Sequence, residues 1–149
     1  MKDRFEHFTI SIFDISHYWN KIASNVMKEH GLRGGYALYL SVLYNSEEEI
    51  TASKLAELCR RDKSDISRAI SAFQEKGILQ SYGTSRYRAP LKLTDKGKEI
   101  AARLRQQADM ALKTAGEGLT DEMRVHVHES LDLIAKNLKQ IYVEGLPQE

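Results

Sequence analysis

TASKLAELCRRDKSDISRAISAFQEKGIL, residues 51–79, is two short helices written back to back. Thr51 offers a side-chain oxygen to the unpaired N–H groups of a first helical turn, and Ile50 and Leu55 hold the two positions of a hydrophobic staple. That helix is short and ends around Cys59 or Arg60. Asp62 is placed to cap a second helix, with Asp65 at its third position in a capping-box-like pair. Ile66, Ala69 or Ile70, and Phe73 recur at helical spacing and predict its buried face. Gly77 closes it, because a left-handed C-cap favours glycine, and Ile78 is placed to fold back on Phe73. Two short helices joined by a tight turn make a helix-turn-helix.

Downstream the period changes from helix to strand. Residues 78–82 and 90–94 are the predicted strands, and between them GTSRYRA (83–89) is a polar, basic loop. A hairpin directly after the second helix of a helix-turn-helix is a wing. Upstream, residues 2–29 carry Phe5, Phe8, Ile12, Ile15, Trp19, Ile22 and Val26 at spacings that alternate three and four, a heptad-type stripe. Ile10 and Phe13 lie off it, Gly31 ends the helix, and a second helix carries Tyr36, Ala37, Leu40, Leu43 and Tyr44. After the wing, Thr94 opens a helix with Ile100, Leu104, Ala108 and Leu112, interrupted around Gly116 and Gly118. Thr120, Asp121 and Glu122 open the last helix, whose stripe is Met123, Val127, Leu131, Ile134, Leu138 and Ile141.

These readings give a mainly α fold: a winged helix-turn-helix with a small β-hairpin wing, flanked by terminal dimerisation helices. The 149 residues suit a single unit, with the winged helix-turn-helix at 33–97 and helical dimerisation parts at 1–30 and 98–149. The two terminal stripes could cover each other within one chain. The middle of the chain has little surface to bury both, so pairing between subunits is expected.

Composition sets the outer bounds. With 42% hydrophobic and 29% charged residues and 2 Pro, the chain is ordinary for a soluble globular protein rich in long helices. There is no apolar run of the roughly 18 residues a membrane span needs. MKDRFEHF at the start sets acids and a His where a signal peptide has a smooth apolar stretch, and the single Cys cannot form an internal disulfide. The expected location is the cytoplasm. Net charge is only +1, but it is unevenly placed: between Arg60 and Arg88 seven basic residues face three acidic ones, a net +4, which leaves −3 for the rest. A near-neutral protein with one basic middle segment suits a polyanion held at one face.

A major groove about 12 Å wide admits one helix, which touches base edges with its amino-terminal turns. Here those turns present Lys63, Ser64, Asp65, Ser67 and Arg68, while Ile66, Ile70 and Phe73 point the other way. The hydroxyls can donate or accept, Asp65 can accept from cytosine N4, and Arg68 can fork to guanine. Arg61 and Lys63 suit phosphates. Arg86 and Arg88 flank Tyr87 at the hairpin tip, where arginine suits the focused negative potential of the minor groove.

The stretch 51–79, together with Leu32, Tyr36-Ala37-Leu38-Tyr39-Leu40, the wing, LKLTDKG (91–97) and GEGLTDEMRVHVHESLDLIAKNL (116–138), resembles the MarR family of bacterial transcription regulators. The resemblance spans most of the chain and is most specific from Thr51 to Gly97. It implies a homodimer with interlocked terminal helices, a palindromic DNA site, and often control by a small molecule or oxidant. It also implies base and phosphate contacts from residues matching Lys63 to Arg68, and a minor-groove arginine matching Arg86 or Arg88. The sequence departs from the family in a shorter wing without an acid before its arginine, and in Gly34-Gly35 at the start of the second helix.

The expected function is that of a sequence-specific duplex-DNA-binding regulator, a dimeric repressor relieved by a small-molecule or oxidant effector. The alternative is a winged-helix protein-interaction module without DNA binding. His17, Tyr18, Tyr36 and Tyr39 are the candidate lining of an effector pocket, although aromatic residues at helical spacing also serve as plain core. No cofactor or metal is expected: His126 and His128, two apart on a helix, point roughly 200° away from each other. Arg60 and Arg61 would favour a Cys59 thiolate, but the first helix of a helix-turn-helix places that position in the core, and an inert thiol is the better reading. G-x-S-x-G, P-loop, H-E-x-x-H and C-x-x-C patterns are all missing, so no enzyme is expected.

Overall fold

The computed structural model describes residues 3–81 and 88–147. Among the described residues six helices follow one another: α1 (Arg4–Glu29), α2 (Tyr36–Asn45), α3 (Ala52–Cys59), α4 (Lys63–Glu75), α5 (Asp95–Ala115) and α6 (Asp121–Glu144). Two compact units, Met1–Ala111 and Leu112–Glu149, divide the chain within α5.

Most helices of the first unit start where a side chain satisfies a terminal backbone group; α2, after Gly35, has no such cap. Thr51 Oγ1 accepts from the Lys54 N–H at 3.2 Å, and Asp62 Oδ1 accepts from the Asp65 N–H at 2.7 Å. Thr94 does more: its hydroxyl accepts from the Gly97 N–H at 3.0 Å and donates to the Gly77 carbonyl, tying the start of α5 to the end of α4. Gly77 sits at φ +69°, and the Ile78 N–H reaches the Phe73 carbonyl at 2.7 Å, so Ile78 folds back on α4 as expected. The turn between α3 and α4 achieves the same closure without glycine. Arg60 adopts φ 51° while the Arg61 N–H bonds the Ala56 carbonyl at 3.0 Å.

The core gathers the C-terminal turn of α1 (Val26, Met27), α2 (Tyr36, Ala37, Tyr39, Leu40), the staple pair Ile50 and Leu55, α4 (Ile66, Ala69, Ile70, Phe73), Ile78 and Leu79, and Ile100, Ala101 and Leu104 of α5. Each fully buried large apolar side chain contributes about 1.5–3 kcal/mol relative to exposure. Among the described residues no polar or charged residue is fully buried.

Two glycines allow close approach inside this unit. A Cβ on Gly34 would lie 2.3 Å from the Ser24 Cβ, so the departure from a better helix former before α2 lets the chain pass tightly over α1. A Cβ on Gly97 would lie 2.2 Å from the Ile78 carbonyl oxygen, so LTDKG is both a cap and a packing contact.

The predicted strands contract to one antiparallel bridge, Leu79 with Leu93, among the described residues. It is flanked by Gln80 N–H to Lys92 O at 3.0 Å and Thr94 N–H to Ile78 O at 2.9 Å. Pro90 has no N–H to give, and the Leu91 N–H goes instead to the Ile50 carbonyl at 2.7 Å, which joins the wing root to the front of α3. Most of the predicted loop, Arg86 included, lies outside the described residues.

In the second unit Thr120 caps α6 through the Met123 N–H at 3.2 Å, and Arg124 Nη2 donates to the Gly116 carbonyl at 2.7 Å. α6 has no buried residue: Met123, Val127, Leu131 and Leu138 of its stripe are all exposed. α1 is similar over most of its length, with Phe5, Phe8, Ile12, Ile15, Trp19 and Ile22 exposed and only Val26 and Met27 buried.

Candidate nucleic-acid interface

The apolar side of α4 is fixed by Ile66, Ala69, Ile70 and Phe73, all at most 6% exposed. A helix pinned on one side has its opposite side aimed by geometry. That side carries Lys63, Ser64 and Arg68, all exposed, and half-buried Ser67, with Arg61 exposed in the preceding turn. Phosphates favour such a site, because the first N–H groups and the dipole of a helix attract anions.

Polar contacts organise this edge. Ser64 Oγ donates to Asp62 Oδ1 at 2.6 Å, and that bond, with the Asp65 N–H, holds the Asp62 carboxyl below its ordinary range. Arg68 Nη2 stands 3.5 Å from Asp65 Oδ1. The Tyr39 hydroxyl of α2 donates to Asp65 Oδ2. Both oxygens of Asp65 therefore already face protein donors. Tyr39 is a member of the site that sequence reading assigned elsewhere, since nothing local links residues 26 positions apart.

Lys76 is exposed at the end of α4, and Arg88 is exposed in the turn after the wing loop. Arg86 lies outside the described residues.

The four candidate effector residues do not share one environment. His17 and Tyr18 are exposed on α1 and meet edge to face at 5.2 Å. Tyr36 and Tyr39 are core, their rings 5.7 Å apart, with Tyr36 edge-on to Phe73 at 5.8 Å. The space beside α1 is instead lined by Trp19, Ile22, Ala23, Leu104, Gln107 and Ala108 and holds about 10 Å³, the room of one water.

Cys59 is buried, and burial pushes its thiol up, outweighing the opposing pull of Arg61. Among the described residues no group of three or more His, Cys, Asp or Glu is placed to hold a metal ion. No helix among them is long and apolar enough to cross a membrane.

No family profile matches the chain. Among curated proteins it is similar to an uncharacterised HTH-type transcriptional regulator of Bacillus subtilis, YybA, with 28% identity over 123 residues and 81% of each chain covered. Among solved structures it is similar to a MarR transcriptional regulator from Methanosarcina mazei, with a TM-score of 0.80, 22% identity, and 95% and 94% of the two chains covered. It is also similar to a putative MarR family transcriptional regulator from Listeria monocytogenes complexed with 26mer DNA, with a TM-score of 0.75, 19% identity, and 100% and 99% covered. All three are named as transcription regulators. By fold, the chain is similar to solved winged helix-turn-helix structures of MarR type.

Proposed function

We propose that this protein is a cytoplasmic, sequence-specific duplex-DNA-binding transcription regulator that acts as a homodimer, a repressor released by a small-molecule or oxidant effector. The observation that carries the reading is the arrangement of α4: its apolar side is locked in the core while Arg61, Lys63, Ser64 and Arg68 face solvent at its amino-terminal end. Arg68 reads base edges, Arg61 and Lys63 neutralise phosphates, and the hydroxyls of Ser64 and Ser67 complete the polar edge. Arg86 and Arg88 of the wing belong to the same interface, at the minor groove. The solved Listeria protein, which shares the fold, is complexed with DNA and supports the assignment.

The reading part is 33–97, and the helical parts 1–30 and 98–149 serve dimerisation. The exposed apolar stripes of α1 and α6 support a second copy as the cover for each, since large apolar patches on a soluble protein mark interaction surfaces. A twofold axis then sets two copies of α4 about 34 Å apart, one turn of DNA, on a palindromic operator. An effector that binds better to a wrongly spaced pair of reading heads lowers DNA affinity by that difference.

The test is binding to duplex DNA across a salt series. Each phosphate neutralised contributes a slope of about −0.9 in log K against log salt. Lys63→Ala is expected to weaken binding to all duplexes alike and to reduce that slope by about one, whereas Arg68→Ala is expected to relax base preference. Binding that ignores salt, or that neither variant changes, contradicts the reading and leaves a protein-interaction module as the outcome.

A further inference from the structure

The amino-terminal end of α4 is held to α2 by one polar contact that the apolar core does not include. Tyr39 is 2% exposed, wedged beside Tyr36, which packs edge-on against Phe73 of α4. From the end of that fixed ring the hydroxyl donates to Asp65 Oδ2, and the other oxygen of Asp65 faces the Arg68 guanidinium at 3.5 Å. Burial, reinforced by the Asp65 acceptor, pushes the Tyr39 hydroxyl up to about 12, so it stays a proton donor across the neutral range. Arg68 itself is 60% exposed, whereas Asp65 is only 22% exposed.

A lone carboxylate three positions before an arginine is a weak partner, because both side chains wander among rotamers in water. Here the carboxylate has a second anchor, and that anchor is part of the core. Resting on the DNA-reading function above, we propose that Tyr39 is a positioning residue for base recognition: its hydroxyl fixes Asp65, and Asp65 holds the Arg68 guanidinium in the orientation it presents to a base. Arginine recognises guanine through a planar, two-pronged contact, so its angle matters as much as its charge. An arginine ordered before binding loses less freedom on meeting its base. Asp65 then acts on base recognition through Arg68, and its own contact with a base becomes unnecessary.

The test compares wild type, Tyr39→Phe, Arg68→Ala and the double variant. Each is measured on a duplex enriched by the wild type from a random library, and on a scrambled duplex of equal length and composition. Tyr39→Phe is expected to lower the selected-to-scrambled affinity ratio about five- to tenfold, with scrambled-duplex affinity and its salt slope unchanged. In the Arg68→Ala background the same substitution is expected to change that ratio less than about twofold, because no guanidinium is left to position. Asp65→Asn, which keeps the shape and removes the charge facing Arg68, is expected to reproduce the Tyr39→Phe loss and guards against misfolding of that variant. An unchanged ratio in Tyr39→Phe overturns the assignment, as does an equal loss with and without Arg68. A wild type that binds both duplexes alike overturns the DNA-reading function and this assignment with it. A discriminating wild type with an equally discriminating Tyr39→Phe removes the role of Tyr39 alone.

Discussion

α4 and α6 solve the same problem in opposite ways. α4 is 13 residues long and buries Ile66, Ala69, Ile70 and Phe73 within its own chain. α6 is 24 residues long, carries as regular an apolar stripe, and buries nothing. A helix that completes its packing inside one chain has a fixed outward face, which a reading element requires. A helix that leaves its stripe bare is stable in water only with help, because isolated helical stability is marginal and most comes from packing. Under the proposed function, the contrast separates a part that works by being rigid from a part that pairs with a second copy.

The strongest way to break the comparison is to remove the anchor of α4. Phe73→Ala is expected to destabilise the protein by about 3–5 kcal/mol in denaturant unfolding, the cost of an emptied aromatic site in a close-packed core. A loss under about 1 kcal/mol would mean that α4 is not pinned as described. On the other side, Leu131→Asp with Leu138→Asp in α6 is expected to weaken self-association by at least about a hundredfold, or about 2.7 kcal/mol. Sedimentation should show a particle of twice 17.0 kDa giving way to the single chain. Because association stabilises the folded chain by mass action, the unfolding midpoint of the variant should fall below that of the wild type and lose its dependence on protein concentration. Unchanged mass would assign the stripe of α6 to something other than a second copy.

Much of this contrast was legible in the sequence because its causes are local. Thr51, Asp62 and Thr120 each act on a backbone N–H three positions away, and Gly77 acts on the turn it ends, so composition and spacing sufficed. The amphipathic periods of α1, α4 and α6 were equally plain. What escaped was set by approach in space. Gly34 faces Ser24, Gly97 faces the Ile78 carbonyl, and Tyr39 reaches Asp65 across 26 positions, with no motif to announce any of them. Tyr39 looked like pocket lining because an aromatic residue at helical spacing says where the ring is buried, not what its hydroxyl meets. The end of α3 falls at Cys59, within the expected bounds, although Arg60 after it takes a left-handed turn that usually advertises itself with glycine. The predicted strands are one bridge among the described residues, and the last residue of the first predicted strand, Tyr82, lies outside them.

Two smaller changes sharpen the picture of the reading head. Gly97→Ala drives a methyl to within 2.2 Å of the Ile78 carbonyl oxygen, a backbone atom that cannot swing aside. It is expected to cost about 1–3 kcal/mol and to loosen the wing root, seen as faster amide exchange at Gln80 and Thr94. The smallest effect concerns the cap of α4. Asp62 is held below the ordinary aspartate value of 3.8, chiefly by the Ser64 hydroxyl and then by the Asp65 N–H. A depressed folded-state value means that its stabilisation is complete above the unfolded value and fades as pH falls through the folded one. Asp62→Asn keeps a cap acceptor without a titrating group, so its stability should fall less steeply than that of the wild type below the ordinary aspartate range. Identical acid limbs would remove Asp62 from the account.

Dimethyl sulfate footprinting on the selected duplex tests the central claim most directly, since the reagent marks guanine N7 in the major groove and adenine N3 in the minor groove. The wild type is expected to protect guanine N7 in two places about one helical turn apart, and Arg68→Ala to lose that protection while still bound. Guanine N7 left fully reactive under saturating wild-type protein, or shielded identically by Arg68→Ala, would contradict the claim that the outward edge of α4 enters the groove.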